Sequence, residues 1–315
     1  MQKQLLPPAI FLMGPTASGK TALSVQLAQE LGGEIISVDS VLVFKGMDIG
    51  TAKPTLEERG GIPHHLIDIL DPSESFSTGQ FRSQALALME AITRRGKIPI
   101  LVGGTMLYFN ALLKGLAVLP EANLAIRAKL DQDLERLGKE SLHQRLADID
   151  PLAAARIHPN DPQRIQRALE VYEISGKPLS SFFNTAQGED FPYQKIKLII
   201  APPERKILHD IIAQRFRSML EQDFISEVEA LYQRGDLTEK MPAIRAVGYR
   251  QVWSYLQSED DLDSVTEKAI IATRQLAKRQ FTWLRRETDA IGFQTGQADL
   301  LQKVLAAVMS CGQRL

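Results

Sequence analysis

Gly14-Pro15-Thr16-Ala17-Ser18-Gly19-Lys20-Thr21 has the spacing G-x-x-x-x-G-K-[ST]. Glycines at that spacing let the backbone curl its N–H groups around an anion. The helix that follows adds its positive N-terminus, the lysine a point charge, and the threonine hydroxyl a ligand for Mg²⁺. The chemistry is capture of a diphosphate. The loop does not say what that diphosphate is attached to; a nucleotide such as ATP is the default, and another diphosphate-bearing substrate is the alternative.

Two more residues could act beside it. Asp39 follows the apolar run Ile35-Ile36-Ser37-Val38, and ligands of open α/β sheets bind outside the carboxyl ends of strands. Its carboxylate could hold Mg²⁺ through water, take a proton from a nucleophile, or close an Asx turn. Thr105, after Ile98–Val102 and Gly103-Gly104, has a hydroxyl for an oxyanion or for a helix N-cap. His64-His65 have only Asp68 and Asp71 nearby and read as structural rather than as a metal site. Arg215, on a predicted helix beyond the fifth strand, is a candidate diphosphate contact.

Positioning these groups takes a sheet. Apolar runs at 9–13, 35–38, 65–69, 98–102 and 197–201 alternate with helix-periodic stretches at 21–31, 79–95 and 105–115, which predicts βαβ units and a parallel sheet. From about Asn123 to Ser181 the chain is charged, rich in Leu and Ala, and has no strand pattern. The expected architecture is therefore a discontinuous phosphate-loop core, 1–120 with 191–315, interrupted by an all-helical insertion, 121–190. Long helices are expected at 204–233 and 265–286 and an amphipathic one at 298–309.

Composition narrows the class. The chain has 315 residues, 44% hydrophobic and 24% charged, which is a globular average with material for a large core. Nowhere do roughly 18 apolar residues run together, so no membrane association is expected. Cys311 is the only cysteine, which suits a reducing cytoplasm and excludes a disulfide framework or a cysteine metal cluster. A monomer is expected. The 37 basic and 38 acidic residues leave a net charge of −1, no whole-chain argument for a polyanion partner. A basic face is still possible locally: Arg274–Arg286 contains Arg274, Lys278, Arg279, Arg285 and Arg286 and no acid.

Several blocks, in order, closely resemble bacterial tRNA dimethylallyltransferases: the phosphate loop, Asp39-Ser40 running on to Gly46–Pro54, His64–Asp68, Gly103–Thr105 with Leu107-Tyr108, Asp161–Arg164 with Arg167–Glu170, Val247–Gln251, and Thr273–Gln280 with Thr282-Trp283. Phe44 stands where tyrosine is expected. The resemblance implies a P-loop NTPase-like core and transfer of a dimethylallyl group from dimethylallyl diphosphate to N6 of the adenosine 3′ of the anticodon. The loop would then hold the donor's diphosphate with Mg²⁺ at Thr21, Asp39 would be the general base, and Thr105 would lie near the reacting groups. It further implies contacts to the tRNA anticodon stem-loop at Asp39, Ser40, Val41, Leu42 and Thr105, and in the insertion at Arg127, Gln163, Arg164, Ile165, Gln166 and Arg167. In the last third they would be Arg245, Gly248, Tyr249, Arg250, Lys278, Arg279, Gln280, Thr282 and Trp283. The competing readings are a P-loop small-molecule kinase with the insertion as a lid, an RNA-binding protein sensing a nucleotide, and prenylation of free adenine nucleotides.

Overall fold

Runs rich in aliphatic residues become the central strands. The computed structural model describes residues 6–183, 191–257 and 261–312. Its strands are β1 (Pro8–Met13), β2 (Gly33–Val38), β3 (His64–His65), β4 (Ile98–Gly103), β5 (Gln194–Ala201) and β6 (Ile291–Gln294). They form one sheet in the order β3-β2-β4-β1-β5-β6, with every neighbouring pair parallel. This is a P-loop-like α/β fold, because each parallel step needs a crossover and the helices supply it.

The helices are α1 (Lys20–Leu31), α2 (Thr78–Arg94), α3 (Met106–Lys114), α4 (Leu124–Ile149), α5 (Pro151–Ala154), α6 (Pro162–Ser175), α7 (Leu179–Phe183), α8 (Arg205–Glu221), α9 (Phe224–Gln233), α10 (Tyr249–Gln257), α11 (Leu262–Leu284) and α12 (Leu300–Gly312). Leu23 and Leu27 of α1 pack with Ile10, Leu12, Ile100 and Leu198 of the sheet and Val304 of α12 in one core. A second core joins Leu208 and Phe216 of α8, Phe224 of α9, Tyr249 of α10 and Ile270 of α11 to Phe44 and Met47.

Two sequence expectations are corrected, and one strand, β6, had not been expected. The strand expected at 65–69 is only His64–His65, because Leu66 and Asp68 turn left-handed at φ 62° and 55°; Asp68 is thereby aimed at the buried Lys53, with which it pairs. The helix expected over 204–233 breaks in two at Asp223, φ 70°. The edge strand β6 has only four residues, two of them apolar, and three of the four are exposed, so it was too short to read as a strand.

The chain divides into two compact units: one up to Leu113 and from Pro192 onward, the other Lys114–Phe191. The second is helical in its described residues and has its own core of Leu130, Leu146, Ile165 and Leu169 among others. At its centre Glu170 is fully buried. It accepts from the Asn123 amide at 2.8 Å, from Arg127 at 2.8 and 3.1 Å and from Arg167 at 2.6 Å. Burial alone would raise this carboxyl's pKa, but the two guanidiniums and the amide outweigh it and hold it below its ordinary value. A depressed carboxyl stabilises above its unfolded pKa and ceases to do so as pH falls through the folded one. Glu170→Gln should therefore cost about 1–3 kcal/mol in urea unfolding at pH 7, and the gap from wild type should close on acidification.

Candidate active site

The phosphate loop joins β1 to α1. Ala17 and Gly19 are left-handed, φ 62° and 78°, a conformation that turns successive N–H groups inward. The Lys20 ammonium folds back on the loop, donating to the Pro15 carbonyl at 2.5 Å and to Ser18 Oγ at 3.2 Å. From the far side Thr295, just beyond β6, donates its hydroxyl to the Ser18 carbonyl at 2.8 Å.

The loops after β2 and β4 meet it. Asp39 Oδ1 accepts the Val41 and Leu42 amides at 2.8 and 3.3 Å. The Asx turn is thus real, and it fixes the carboxylate while leaving Oδ2 as the oxygen available to a substrate. Thr105 Oγ1 accepts the Ser40 amide at 3.2 Å and the Thr105 amide donates to the Val38 carbonyl at 3.2 Å, so the two loops are stitched together. Arg215 of α8 donates to the Thr51 carbonyl at 3.1 Å. The phosphate loop from Thr16 to Thr21, Asp39, Thr105 and Arg215 all line one cavity of about 450 Å³.

One face of α11 closes the same cavity. Leu276, Arg279, Gln280 and Trp283 line it, the i, i+3, i+4, i+7 spacing of one helix stripe. Gln280 is only 8% exposed; its Oε1 accepts the Thr16 amide at 2.8 Å and its Nε2 donates to the Gly104 carbonyl at 3.0 Å.

Other expected RNA contacts are placed as follows. Lys278, Arg279, Thr282, Arg245 and Arg250 are exposed, as are Ser40, Gln163 and Arg164. Val41 and Leu42 are half-buried. Four of the residues implied for RNA are interior: Ile165 in the core of the helical unit, Gly248 and Tyr249 against Phe224, and Gln280 at the phosphate loop. Arg127 and Arg167 are committed to Glu170, and Gln166 donates to Asp131 at 2.6 Å.

Sequence reading missed two features, Leu276 and Glu227, and left a third, His64, outside the site. Leu276, on the cavity stripe, was findable from its spacing to Gln280. Glu227 of α9 accepts the Asp48, Ile49 and Gly50 amides at 2.9, 2.7 and 3.2 Å and the Tyr249 hydroxyl, which holds the turn leading to Thr51; no sequence signal links residues so far apart. His64, read as structural, lines the cavity with Ser37, and its Nδ1 faces the Ile62 carbonyl at 2.8 Å.

The charge balance favours an anion. Burial first, then the nearby Arg215 guanidinium, push the Lys20 ammonium down to about 7 against the opposing pull of Asp39. Its Nζ is turned inward although the residue as a whole is half-buried. Burial likewise lowers Arg215, with Asp39 again opposing. For a metal, the described residues hold no group of three His, Cys, Asp or Glu side chains, but the Thr21 hydroxyl and the Asp39 carboxylate both line the cavity. Mg²⁺ binds through one or two protein oxygens, substrate phosphates and retained waters, so this donor set fits it.

A parallel sheet whose phosphate loop, facing carboxylate and stitched loops share one cavity defines a phosphate-loop enzyme architecture. A family model for IPP transferases matches residues 42–287, and the chain belongs to that family. It is 57% identical over 303 residues to a tRNA dimethylallyltransferase of Methylococcus capsulatus, covering 96% of this chain and 97% of that one. It is 56% identical over 297 residues to the tRNA dimethylallyltransferase of Nitrosococcus oceani, covering 94% and 95%. Among solved structures it resembles a tRNA isopentenylpyrophosphate transferase from Bacillus halodurans at 38% identity and TM-score 0.70, covering 97% and 96%. A eukaryotic dimethylallyltransferase acting on tRNA matches at 30% identity and TM-score 0.80, covering 96% and 78%.

A diphosphate beside Lys20 reverses the balance that lowers its pKa, so binding at pH 8 should draw a proton from solvent. Titration calorimetry of a diphosphate monoester in Tris and in HEPES should report uptake of roughly one proton per ligand. Uptake should fade toward pH 6, where Lys20 is already charged, and should be absent in Lys20→Met.

Proposed function

We propose that this chain transfers the dimethylallyl group of dimethylallyl diphosphate to N6 of adenosine 37 of tRNA, the base 3′ of the anticodon, releasing diphosphate. The observation that carries this reading is the shared cavity: a diphosphate cradle and a fixed carboxylate face one space, walled on another side by Trp283 and Arg279 of α11. The names of the relatives supply the substrates.

The chemistry divides among these residues. The C1–O bond of the donor breaks, its electron pair leaving with the diphosphate, while the N6 lone pair forms the new N–C1 bond. The allylic carbon develops positive charge as this happens, so stabilising the leaving anion is the main task; Lys20, Arg215 and the loop amides are placed for it. When bound, Mg²⁺ at Thr21 adds Lewis-acid neutralisation of the same oxygens. An adenine amine is a weak nucleophile because its lone pair is delocalised into the ring. Removing its proton is useful, and Asp39 Oδ2 is the acceptor, with Oδ1 held by the Val41 and Leu42 amides. Thr105 keeps this carboxylate loop in place through Ser40.

To reach such a cavity the adenosine must leave its stack, at a cost of a few kcal/mol that contacts to the splayed loop offset. The half-buried Trp283, with the Arg286 guanidinium 5.5 Å from its ring centroid, offers a stacking surface. The exposed cations Arg245, Arg250, Lys278 and Arg279 offer phosphate contacts. Gln163 and Arg164, exposed on α6 of the helical unit, offer more. No helix among the described residues is long and apolar enough to cross a membrane. A tRNA substrate is the reason to place the proposed reaction in the cytoplasm.

The direct test incubates the protein with Mg²⁺, labelled dimethylallyl diphosphate and unmodified tRNA carrying adenosine after its anticodon. Label is expected in RNA; label in AMP instead would favour an adenine-nucleotide prenyltransferase. In Asp39→Asn the amide carbonyl can still accept the Val41 and Leu42 amides but cannot take the proton. Turnover should fall by about 10²–10⁴ with donor affinity changed only a few-fold. Equal losses in both would assign Asp39 to the metal.

A further inference from the structure

We infer that Gln280 is the positioning residue through which RNA on α11 and donor in the phosphate loop strengthen each other's binding. The inference rests on the functional reading above, in which α11 meets RNA.

The geometry is a three-way clamp. Gln280 lies on α11 between Arg279 and Trp283, whose side chains line the cavity. Its amide oxygen takes the Thr16 N–H of the phosphate loop, and its amide nitrogen donates to the carbonyl of Gly104, the residue before Thr105. Thr105 in turn holds the Ser40 amide, one residue past Asp39. A single planar side chain therefore ties the helix to both the diphosphate cradle and the loop that carries the base.

The clamp has no slack. A Cβ at Gly104 would lie 2.3 Å from Gln280 Nε2 and 3.2 Å from the Gly14 carbonyl, so glycine is what admits the amide. With both ends of a buried amide satisfied, α11 cannot shift against the phosphate loop without leaving a buried polar group unpaired, which is expensive. In the two-state sense required for coupling, one arrangement has the clamp closed and both loops set, and the other has it open. RNA docking on the exposed side chains of α11 favours the closed arrangement. The phosphate loop is then already set for the donor, and by reciprocity the donor tightens RNA by the same factor.

The test measures dimethylallyl diphosphate affinity by calorimetry with and without a saturating, unmodified anticodon stem-loop RNA lacking adenosine 37's amine, so that no turnover occurs. Wild type should bind donor roughly fivefold or more tightly with RNA present. Gln280→Met, which keeps the length and loses both hydrogen bonds, should bring that ratio to within about twofold of one. Gly104→Ala, which displaces the amide without altering it, should do the same, and it decides the matter if Gln280→Met folds poorly. Gln280→Glu, which restores only the bond from Thr16, should not recover the ratio. A merely structural role would weaken donor and RNA separately but leave the ratio intact, and that result overturns the inference. A wild-type protein that bound no RNA would overturn the functional reading, and this inference with it.

Discussion

Three loops of this protein converge because β2, β4 and β1 are consecutive neighbours in a parallel sheet. All parallel strands present their carboxyl ends to the same edge, and neighbours are spaced by about 4.8 Å. The loops carrying Asp39, Thr105 and Lys20 are therefore brought within about 10 Å of one another by backbone hydrogen bonding alone. Everything else refines that placement. The Thr105 hydroxyl stitches the β2 and β4 loops, and Gln280 closes the third side from a helix more than 170 residues beyond Gly104.

The electrostatic design follows from the same crowding. Lys20 and Arg215 share a partly enclosed space with one carboxylate, Asp39, and each cation has its pKa lowered chiefly by burial. Such an arrangement is costly for the protein by itself and favourable once an anion bearing two or more charges is present. Preorganised cations of this kind need no rearrangement when charge develops on a leaving group. The sheet and the α9–α10 packing carry the cost: Glu227, bound to three consecutive amides and to the buried Tyr249 hydroxyl, fixes the turn whose Thr51 carbonyl receives Arg215.

The helical unit uses charge differently. Its buried carboxylate, Glu170, gathers Arg127 and Arg167 inward, so two arginines that resemble RNA contacts by motif have a structural task. Through Glu170 their partly exposed guanidiniums tie α4 to α6, whereas Gln163 and Arg164 face solvent. The near-zero net charge of the chain says nothing against a polyanion partner, because cations on the outer face of α11 are balanced by acids located elsewhere.

Local order is what the amino-acid sequence determined by itself. The phosphate loop, the strands β1, β2, β4 and β5, the helical character of the insertion and the positions of Asp39 and Thr105 at strand ends were all legible, because each depends on residues within one or two turns or one strand of each other. Tertiary packing decided the rest. Asp68 turns left-handed where a strand was expected because its carboxylate meets Lys53, and the helix after β5 breaks at Asp223. Gln280 and Tyr249 sit in motifs that resemble RNA contacts, yet each spends its polar group inside the protein. A motif records which residue types occur and at what spacing. Whether a side chain points outward depends on which distant backbone groups need a hydrogen-bond partner, and only the folded chain brings those groups together.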